Sequence, residues 1–370
     1  MTPFDRIQCL DLSWSVPPDV GELRVAILGA GKMARLHLEA LKSLPGVRLE
    51  AICSRSGTSA ERLAGEFGIP RSYRDAARLL EETRPDAVFV AVSHAVTLEI
   101  ASLVLEAGVP CLLEKPAGFR SVQTADLAGL ADASHCLNIV GLNRRYYSTI
   151  QQALLAVWQQ GPVRGVLVEA HEPILEYRSR REFDGELYDR WMVANTIHAI
   201  DLLRLIGGEV AEVRGLGQCI NEPHGDHFSA TVGFVGGAIG TFVAHWNSAR
   251  GFGLKIYGDG VTAELWPLEQ AFLRYDTGRR LKLTPDPVDI RCKPGLYAQD
   301  ADFLQSVCDR TPAPFPASDL HDNVRTMRLV EAISGVVTVQ AVDSPCLGAG
   351  AGEPNGSVSQ PGRSHELRLS

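Results

Sequence analysis

The segment Gly29-Ala30-Gly31-Lys32-Met33-Ala34 limits what this chain can become more than any other. It follows an apolar, β-branched run over residues 23–28. It opens a stretch in which Met33, Leu36, Ala40, Leu41 and Leu44 recur at helical spacing. A glycine turn between a strand and a helix is built to hold a dinucleotide. Gly29 permits the tight turn, Gly31 lets the backbone approach a pyrophosphate, and Ala34 allows the helix to pack closely on the strand. The helix that starts at Lys32 and Met33 offers unpaired N–H groups and the positive end of its dipole to the phosphates. An incidental glycine turn is the alternative, and the βα units that follow argue against it.

Those units continue the same rhythm. Residues 48–53, 87–92, 111–113 and 137–142 read as strands, and 59–67, 98–107 and 122–131 as helices. Strands that are apolar on both faces and alternate with helices make a parallel sheet covered on both sides. Residues 23–146 are therefore expected to form a doubly wound α/β domain. Beyond it the pattern changes. Residues 163–170, 210–219, 228–234, 238–246, 254–257 and 262–266 read as strands, Gly258-Asp259-Gly260 as a hairpin turn, and 192–205, 300–308 and 323–339 as helices. Residues 147–344 are thus expected to form an α+β domain with a mainly antiparallel, open sheet of about six strands. Residues 1–22 read as a leader and 345–370, rich in Gly, Ser and Pro, as a flexible tail.

Composition removes several classes of partner. Among 370 residues, Asp and Glu number 44 against 36 Lys and Arg, and no basic run forms the stripe that nucleic acid requires. No apolar stretch approaches the roughly 20 residues of a membrane span. Asp5, Arg6 and Asp11 interrupt any signal-peptide core, so a cytoplasmic protein with no membrane partner is expected. The eight cysteines stand singly without a CxxC pair and read as reduced thiols. His224-Gly225-Asp226-His227 supplies two imidazoles but no identifiable third ligand, so no metal is expected.

The end of the second strand bears on the cofactor. An NAD site there usually presents a carboxylate to the ribose 2′-hydroxyl, whereas this chain has Ser54-Arg55-Ser56. A hydroxyl beside a guanidinium suits a 2′-phosphate, which favours NADP(H) over NAD(H). Glu50 precedes the strand end by several residues and does not restore the carboxylate; a merely solvated Arg55 is the alternative.

A second constellation begins at Glu114-Lys115-Pro116, which leaves a buried strand at the carboxyl edge of the parallel sheet, where open α/β folds bind ligands. Together with the glycine turn, Gly141-Leu142-Asn143-Arg144-Arg145-Tyr146 and His198-Ala199-Ile200-Asp201, it resembles the glucose-fructose oxidoreductase and inositol dehydrogenase family of NAD(P)-dependent oxidoreductases, over about residues 23–340. The resemblance implies a Rossmann domain and hydride transfer that interconverts a hydroxyl and a ketone on a sugar, nucleotide-sugar or cyclitol. It also implies a homo-oligomer joined through the second domain's sheet. It carries the roles of the lysine beside the nicotinamide and the proton-exchanging histidine to Lys115 and His198. An ammonium can polarise a carbonyl and a near-neutral imidazole can exchange the proton. Asp201, three residues after His198 on a helix, would share its face and orient the ring.

Around these groups the cofactor contacts are expected to include Ser93, His94, Glu114, Asn143 and Arg144. The substrate contacts are expected to include Arg144, Trp191 and Asn195. The family usually has an aspartate four residues before the histidine; here that residue is Ala194, with Asn195 beside it. The polar, aromatic stretch 172–191, with Arg178, Arg180, Arg181 and Arg190, either lines the cleft and offers cations to a charged sugar or is a surface loop. Two other functions remain open at this level: a non-catalytic dinucleotide sensor, and a hydrolase or epimerase that recycles its nicotinamide.

Overall fold

The computed structural model describes residues 21–183 and 185–335; the expected tail and nearly all of the leader lie outside them. The first sheet is parallel, in the order β3-β2-β1-β4-β5-β6. Its strands are β1 (Leu23–Leu28), β2 (Val47–Cys53), β3 (Arg71–Tyr73), β4 (Ala87–Val90), β5 (Cys111–Glu114) and β6 (Asn138–Gly141). This order reverses direction between β1 and β4, which opens a crevice at their carboxyl ends. Alternate side chains feed two cores. Val25, Ile27, Ile52, Phe89 and Leu112 pack against α1 (Lys32–Leu41) and α2 (Thr58–Phe67). Ala26, Leu28, Val88, Val90 and Leu113 face α3 (Ala76–Thr83), α4 (Thr97–Glu106) and α5 (Ser121–Ser134). The β3–α3 unit was not anticipated, because Arg-Ser-Tyr is too short and polar to register as a buried strand.

The second sheet has eight strands where about six were expected, in the order β14-β13-β12-β11-β7-β10-β9-β8. These are β7 (Gly165–His171), β8 (Val210–Gln218), β9 (His227–Phe234), β10 (Ile239–His245), β11 (Gly251–Gly258), β12 (Val261–Leu265), β13 (Ala271–Tyr275) and β14 (Arg280–Leu283). All neighbours pair antiparallel except β10 and β7, which run parallel. The extra hairpin β13–β14 was hidden because Arg-Leu-Lys-Leu is almost wholly exposed and has no apolar run. Helix α6 (Ser148–Gln160) was also missed; it packs with the later α9 on the sheet's apolar face. On the opposite face Leu216, Ile239, Tyr257 and Trp266 are exposed.

The expected helix over 192–205 is two elements. After α7 (Ile174–Ser179) and α8 (Gly185–Tyr188), a π-helical turn at Met192–Thr196 runs into α9 (Ile197–Gly207). The wide turn bulges the backbone beside the cleft, a common device at functional sites. After α10 (Pro287–Arg291), helix α11 (Leu296–Asp309) returns to the first sheet instead of staying with the second domain. Tyr297, Ala301, Phe303 and Leu304 join the core against α1, and Phe303 meets Phe89 edge-on at 5.4 Å. Helix α12 (Leu320–Gly335) completes the described chain. None of the described helices is long and apolar enough to cross a membrane.

Candidate active site

The crevice at the β1–β4 reversal is held by backbone bonds. Gly29 N–H donates to the Cys53 carbonyl (2.8 Å) and Ala91 N–H to the Leu28 carbonyl (2.7 Å). Gly29 has φ +116°, and a Cβ there would lie 2.1 Å from the Ala91 carbonyl oxygen, so only glycine fits. At Gly31 a Cβ would meet nothing within 4 Å; this part of the turn faces open space. Helix α1 starts there with no side-chain cap and no acidic residue in its first turn, which leaves its N–H groups for an anion. Ala34 is fully buried beneath it. Lys32 and Met33 join Gly29 and Gly31 in lining a cavity of about 1260 Å³, with Ser54, Arg55, Ser56, Arg74 and Ser93 along its walls. A turn of this shape, free N–H donors and a cavity of this size fit a nicotinamide dinucleotide.

At the far wall, Ser54 Oγ accepts the Ala60 N–H (3.2 Å) and meets Ser59 Oγ (2.9 Å), while Arg55 is exposed. Glu50 is buried and paired with Arg71 on the neighbouring strand (2.6 Å), so its carboxylate is committed within the sheet.

Lys115 stands where β5 ends. Its Nζ donates to the Ala194 carbonyl (2.8 Å) on the π-turn, linking the two domains. The adjacent Glu114 does not neutralise it by direct pairing. That carboxylate accepts from His37 Nε2 (3.2 Å), and His37 Nδ1 faces Asp300 (2.8 Å). Burial opposes a charged His37, but Asp300 and Glu114 outweigh it and raise the imidazolium to about 9. Glu114 is held below the usual carboxylate range despite burial, through His37, with Lys293 and Lys115 assisting. Burial dominates at Lys115 itself. Glu114 pulls against it and Lys293 and Arg144 add to it, so the ammonium's pKa is pushed down to about 8.

His198 opens α9, is 5% exposed, and its Nδ1 is buried without a partner. Burial first, then the charges of Arg144, Lys115 and Lys293, hold its pKa well below 6.5. The imidazole is therefore neutral at pH 7, a base rather than an acid. Lys115 and His198 thus lie within electrostatic reach of one another. Asn195, beside Lys115, lines the same small cavity as Ser93, His94, Trp191 and Ala194. Its Nδ2 donates to the buried Glu172, whose other oxygen accepts from Thr196 Oγ1 (2.8 Å). Burial raises the Glu172 pKa. Arg144 stacks on Phe252 (3.7 Å to the ring centre). Asn143 instead donates to the Pro294 carbonyl (2.9 Å) and thereby fixes the loop that carries Lys293.

One expectation needs correction, and the structure describes two other segments. Asp201 does not orient His198; it is buried against Arg145 (2.7 and 2.5 Å) and Thr326 (2.8 Å) in a structural network with Asp322. Helical spacing put the two side chains on neighbouring faces, but the guanidinium of Arg145 claimed the carboxylate. In the stretch 172–191, left open between cleft wall and surface loop, Phe183, Leu187 and Trp191 line the small cavity, and two of the arginines are committed to ion pairs. Arg178 is paired with Glu222 (2.5 Å), Arg180 with Glu176 (2.8 Å), and Arg190 lies over Phe119 (4.6 Å). In the segment 224–227, where no metal was expected, Asp226 accepts the Ile220 and Asn221 N–H groups and meets His227 Nδ1, closing the turn before β9.

The sequence did not reveal His37, Asp300 or Lys293. A histidine in the apolar stripe of α1 and an aspartate in the buried face of α11 were the available signals, since such groups persist only when paired. Lys293 Nζ lies 3.5 Å from Met33 Sδ, a long-range contact that no local pattern foretells.

Comparison with known proteins agrees with this geometry. Residues 23–142 match a family model described as an oxidoreductase family with an NAD-binding Rossmann fold, and residues 152–264 match the GFO/IDH/MocA C-terminal domain. The chain belongs to the GFO/IDH/MocA family. It is 24% identical over 219 residues to a D-apiose dehydrogenase of Paraburkholderia graminis, covering 58% of this chain and 57% of that protein. The chain thus spans under three fifths of the length of that relative. It is 25% identical over 299 residues to a UDP-N-acetylglucosamine 3-dehydrogenase of Acidithiobacillus ferrooxidans, covering 78% of this chain and 90% of the other. An oxidoreductase from Agrobacterium radiobacter, solved with NAD+, L-tartaric acid and magnesium, superposes with TM-score 0.73 at 20% identity, covering 85% and 96% of the two chains. That likeness establishes the shared two-domain fold.

Proposed function

We propose that this protein is an NADP(H)-dependent oxidoreductase that interconverts a hydroxyl and a ketone on a sugar, nucleotide-sugar or cyclitol. The reading is carried by Lys115, from the end of β5, lying within electrostatic reach of His198, at the start of α9, and lining a small cavity that shares Ser93 with the cavity of the glycine turn. The relatives named above as dehydrogenases of apiose and of UDP-N-acetylglucosamine support the substrate class. A bound nicotinamide supplies or accepts the hydride. The chain's own residues handle the oxygen. At pH 7 neutral His198 takes the hydroxyl proton, and the Lys115 ammonium, braced by the Ala194 carbonyl, stabilises the oxygen as it becomes anionic. Asn195, its amide N–H engaged by Glu172, keeps a carbonyl oxygen for a neighbouring hydroxyl.

The catalytic roles of these residues rest on that geometry, as does the preference for NADP(H), which rests on exposed Arg55 and the commitment of Glu50 to Arg71. We further propose a homo-oligomer joined through the uncovered sheet face bearing Leu216, Ile239, Tyr257 and Trp266. A cytoplasmic location accords with the cysteines among the described residues, which are free. Following reduced-nicotinamide absorbance with a panel of polyols and keto-sugars tests the activity. Net cofactor turnover is expected. Substrate conversion without net turnover would favour the recycling alternative, and binding alone the sensor.

A further inference from the structure

Arg144, Lys115 and Lys293 all bear on His198, and no carboxylate offsets them there. Two of the acids nearby are already engaged, and a third, exposed Glu269, bears on Arg144 without forming an ion pair with it. Glu114 is bonded to His37, and Glu172 to Asn195 and Thr196. Opposite Lys115 the residue is Ala194, which offers a backbone oxygen but no charge. Arg144 forms no ion pair among the described residues. Its guanidinium carbon lies over Phe252, 3.7 Å from the ring centre, and its Nη1 is buried without a hydrogen-bond partner. A stacked guanidinium with an unused donor is oriented for planar, two-point recognition of a carboxylate. Leaving such a buried donor unpaired is costly, so a ligand group belongs there.

The cofactor does not remove this surplus. Its phosphates belong at the α1 N-terminus and beside Arg55, at the other end of the crevice. The nicotinamide end would be neutral when reduced and positive when oxidised, so in the oxidative direction the ring would add a further positive charge beside the substrate until it accepts the hydride. The cavity beside Lys115 and Asn195 is about 200 Å³, the liquid volume of roughly six or seven waters, and suits a compact ligand.

Building on the oxidoreductase reading, we propose that the substrate is an anion: a carboxylate-bearing sugar or polyol, an aldonate or uronate in class, whose carboxylate docks on Arg144 while its reacting hydroxyl lies between Lys115 and His198. Lys293 reinforces the field from the cofactor side without being the anchor.

The test uses the full chain saturated with NADP+ or NADPH and a panel of C4–C6 aldonates and uronates. Each acid is matched with its neutral polyol or sugar, and D-glucose 6-phosphate provides a phosphate arm. Binding is read by thermal shift and by quenching of reduced-nicotinamide fluorescence, and turnover separately by absorbance. At least one acid should bind on the order of 10-fold or more tighter than its neutral partner, an advantage that falls as salt is added. Arg144→Gln should erase that advantage, with a loss on the order of 10- to 100-fold for the acid. Arg144→Lys should recover part of it. The anion proposal is overturned if no acid outbinds its neutral partner, or if Arg144→Gln binds the acids like the parent protein. A preference for the phosphate overturns the carboxylate assignment. Failure of the oxidoreductase reading would look different: acids bound through Arg144 with no hydride transferred in either direction.

Discussion

His37 couples the stability of this fold to pH in a way whose sign can be worked out. Its ring lies fully buried between Glu114 at the end of β5 and Asp300 on α11, and so ties three elements of the first domain together. Burial works against the charged ring, Asp300 and Glu114 work for it, and the folded-state value rises from 6.5 to about 9. A group raised on folding binds its proton more tightly in the native state. Its contribution is therefore complete below about pH 6.5 and is lost as pH climbs through about 9. At about 1.4 kcal/mol per pH unit, that interval corresponds to about 3 kcal/mol, a large share of a typical 5–15 kcal/mol stability. Lys115 works in the opposite direction. Its folded-state value of about 8 lies below the ordinary 10.5, so stability recovers between those two pH values. The assay is urea unfolding from pH 6.5 to 9 for the parent protein and for His37→Gln, which shares the Lys115 contribution. The gap between the two curves should shrink by about 3 kcal/mol across the interval. Parallel curves would show that His37 is not held protonated and would refute the reasoning.

Further perturbations separate structural from functional groups. Asp201→Ala removes the partner of buried Arg145 and should cost about 3–5 kcal/mol in urea unfolding. It should leave the pH profile of kcat/KM in place; a shifted profile would restore Asp201 to the catalytic machinery. Arg55→Ala should weaken NADPH binding by about 1.5–3 kcal/mol, roughly 10- to 150-fold, and NADH binding little; equal losses in calorimetry would remove the 2′-phosphate assignment. In the oxidative direction kcat/KM should fall on the acid side with an ionisation below 6.5, because His198 must be neutral, and change again near 8 as Lys115 loses its proton. A flat profile would exclude both groups.

Much of the fold was legible because it rests on local patterns. The runs of β1, β4 and β5 are buried on both faces, and Gly29 sits at a turn that no larger residue can occupy. The cofactor cleft followed directly from that turn. Elements whose formation depends on distant partners were not legible. Strand β14 shows almost no apolar signal because its neighbour β13 supplies the pairing. Helix α11 reads as an amphipathic helix of the second domain, and only the fit of Phe303 against Phe89 sends it back to the first.

The site divides the same way. Lys115 and His198 were singled out through short motifs at fixed places on a strand end and a helix start. The charges around them, Lys293 and Glu172 directly and His37 and Asp300 by way of Glu114, are scattered from α1 to α11 and meet only in three dimensions. Asp201 shows how spacing alone misleads: i and i+3 defines a shared face, but a competing guanidinium decides the partner.

The central claim is that the Lys115 ammonium and the His198 imidazole act on one oxygen atom. A double-mutant cycle on the single-turnover hydride-transfer rate, with Lys115→Met, His198→Asn and the pair, tests it most directly. Each single change should slow transfer by about 10²- to 10⁴-fold, with NADPH affinity retained. The double variant should be little slower than the worse single, because removing one group leaves the other nothing to assist. Losses that multiply in full would show two groups working independently and would contradict their convergence on the same atom.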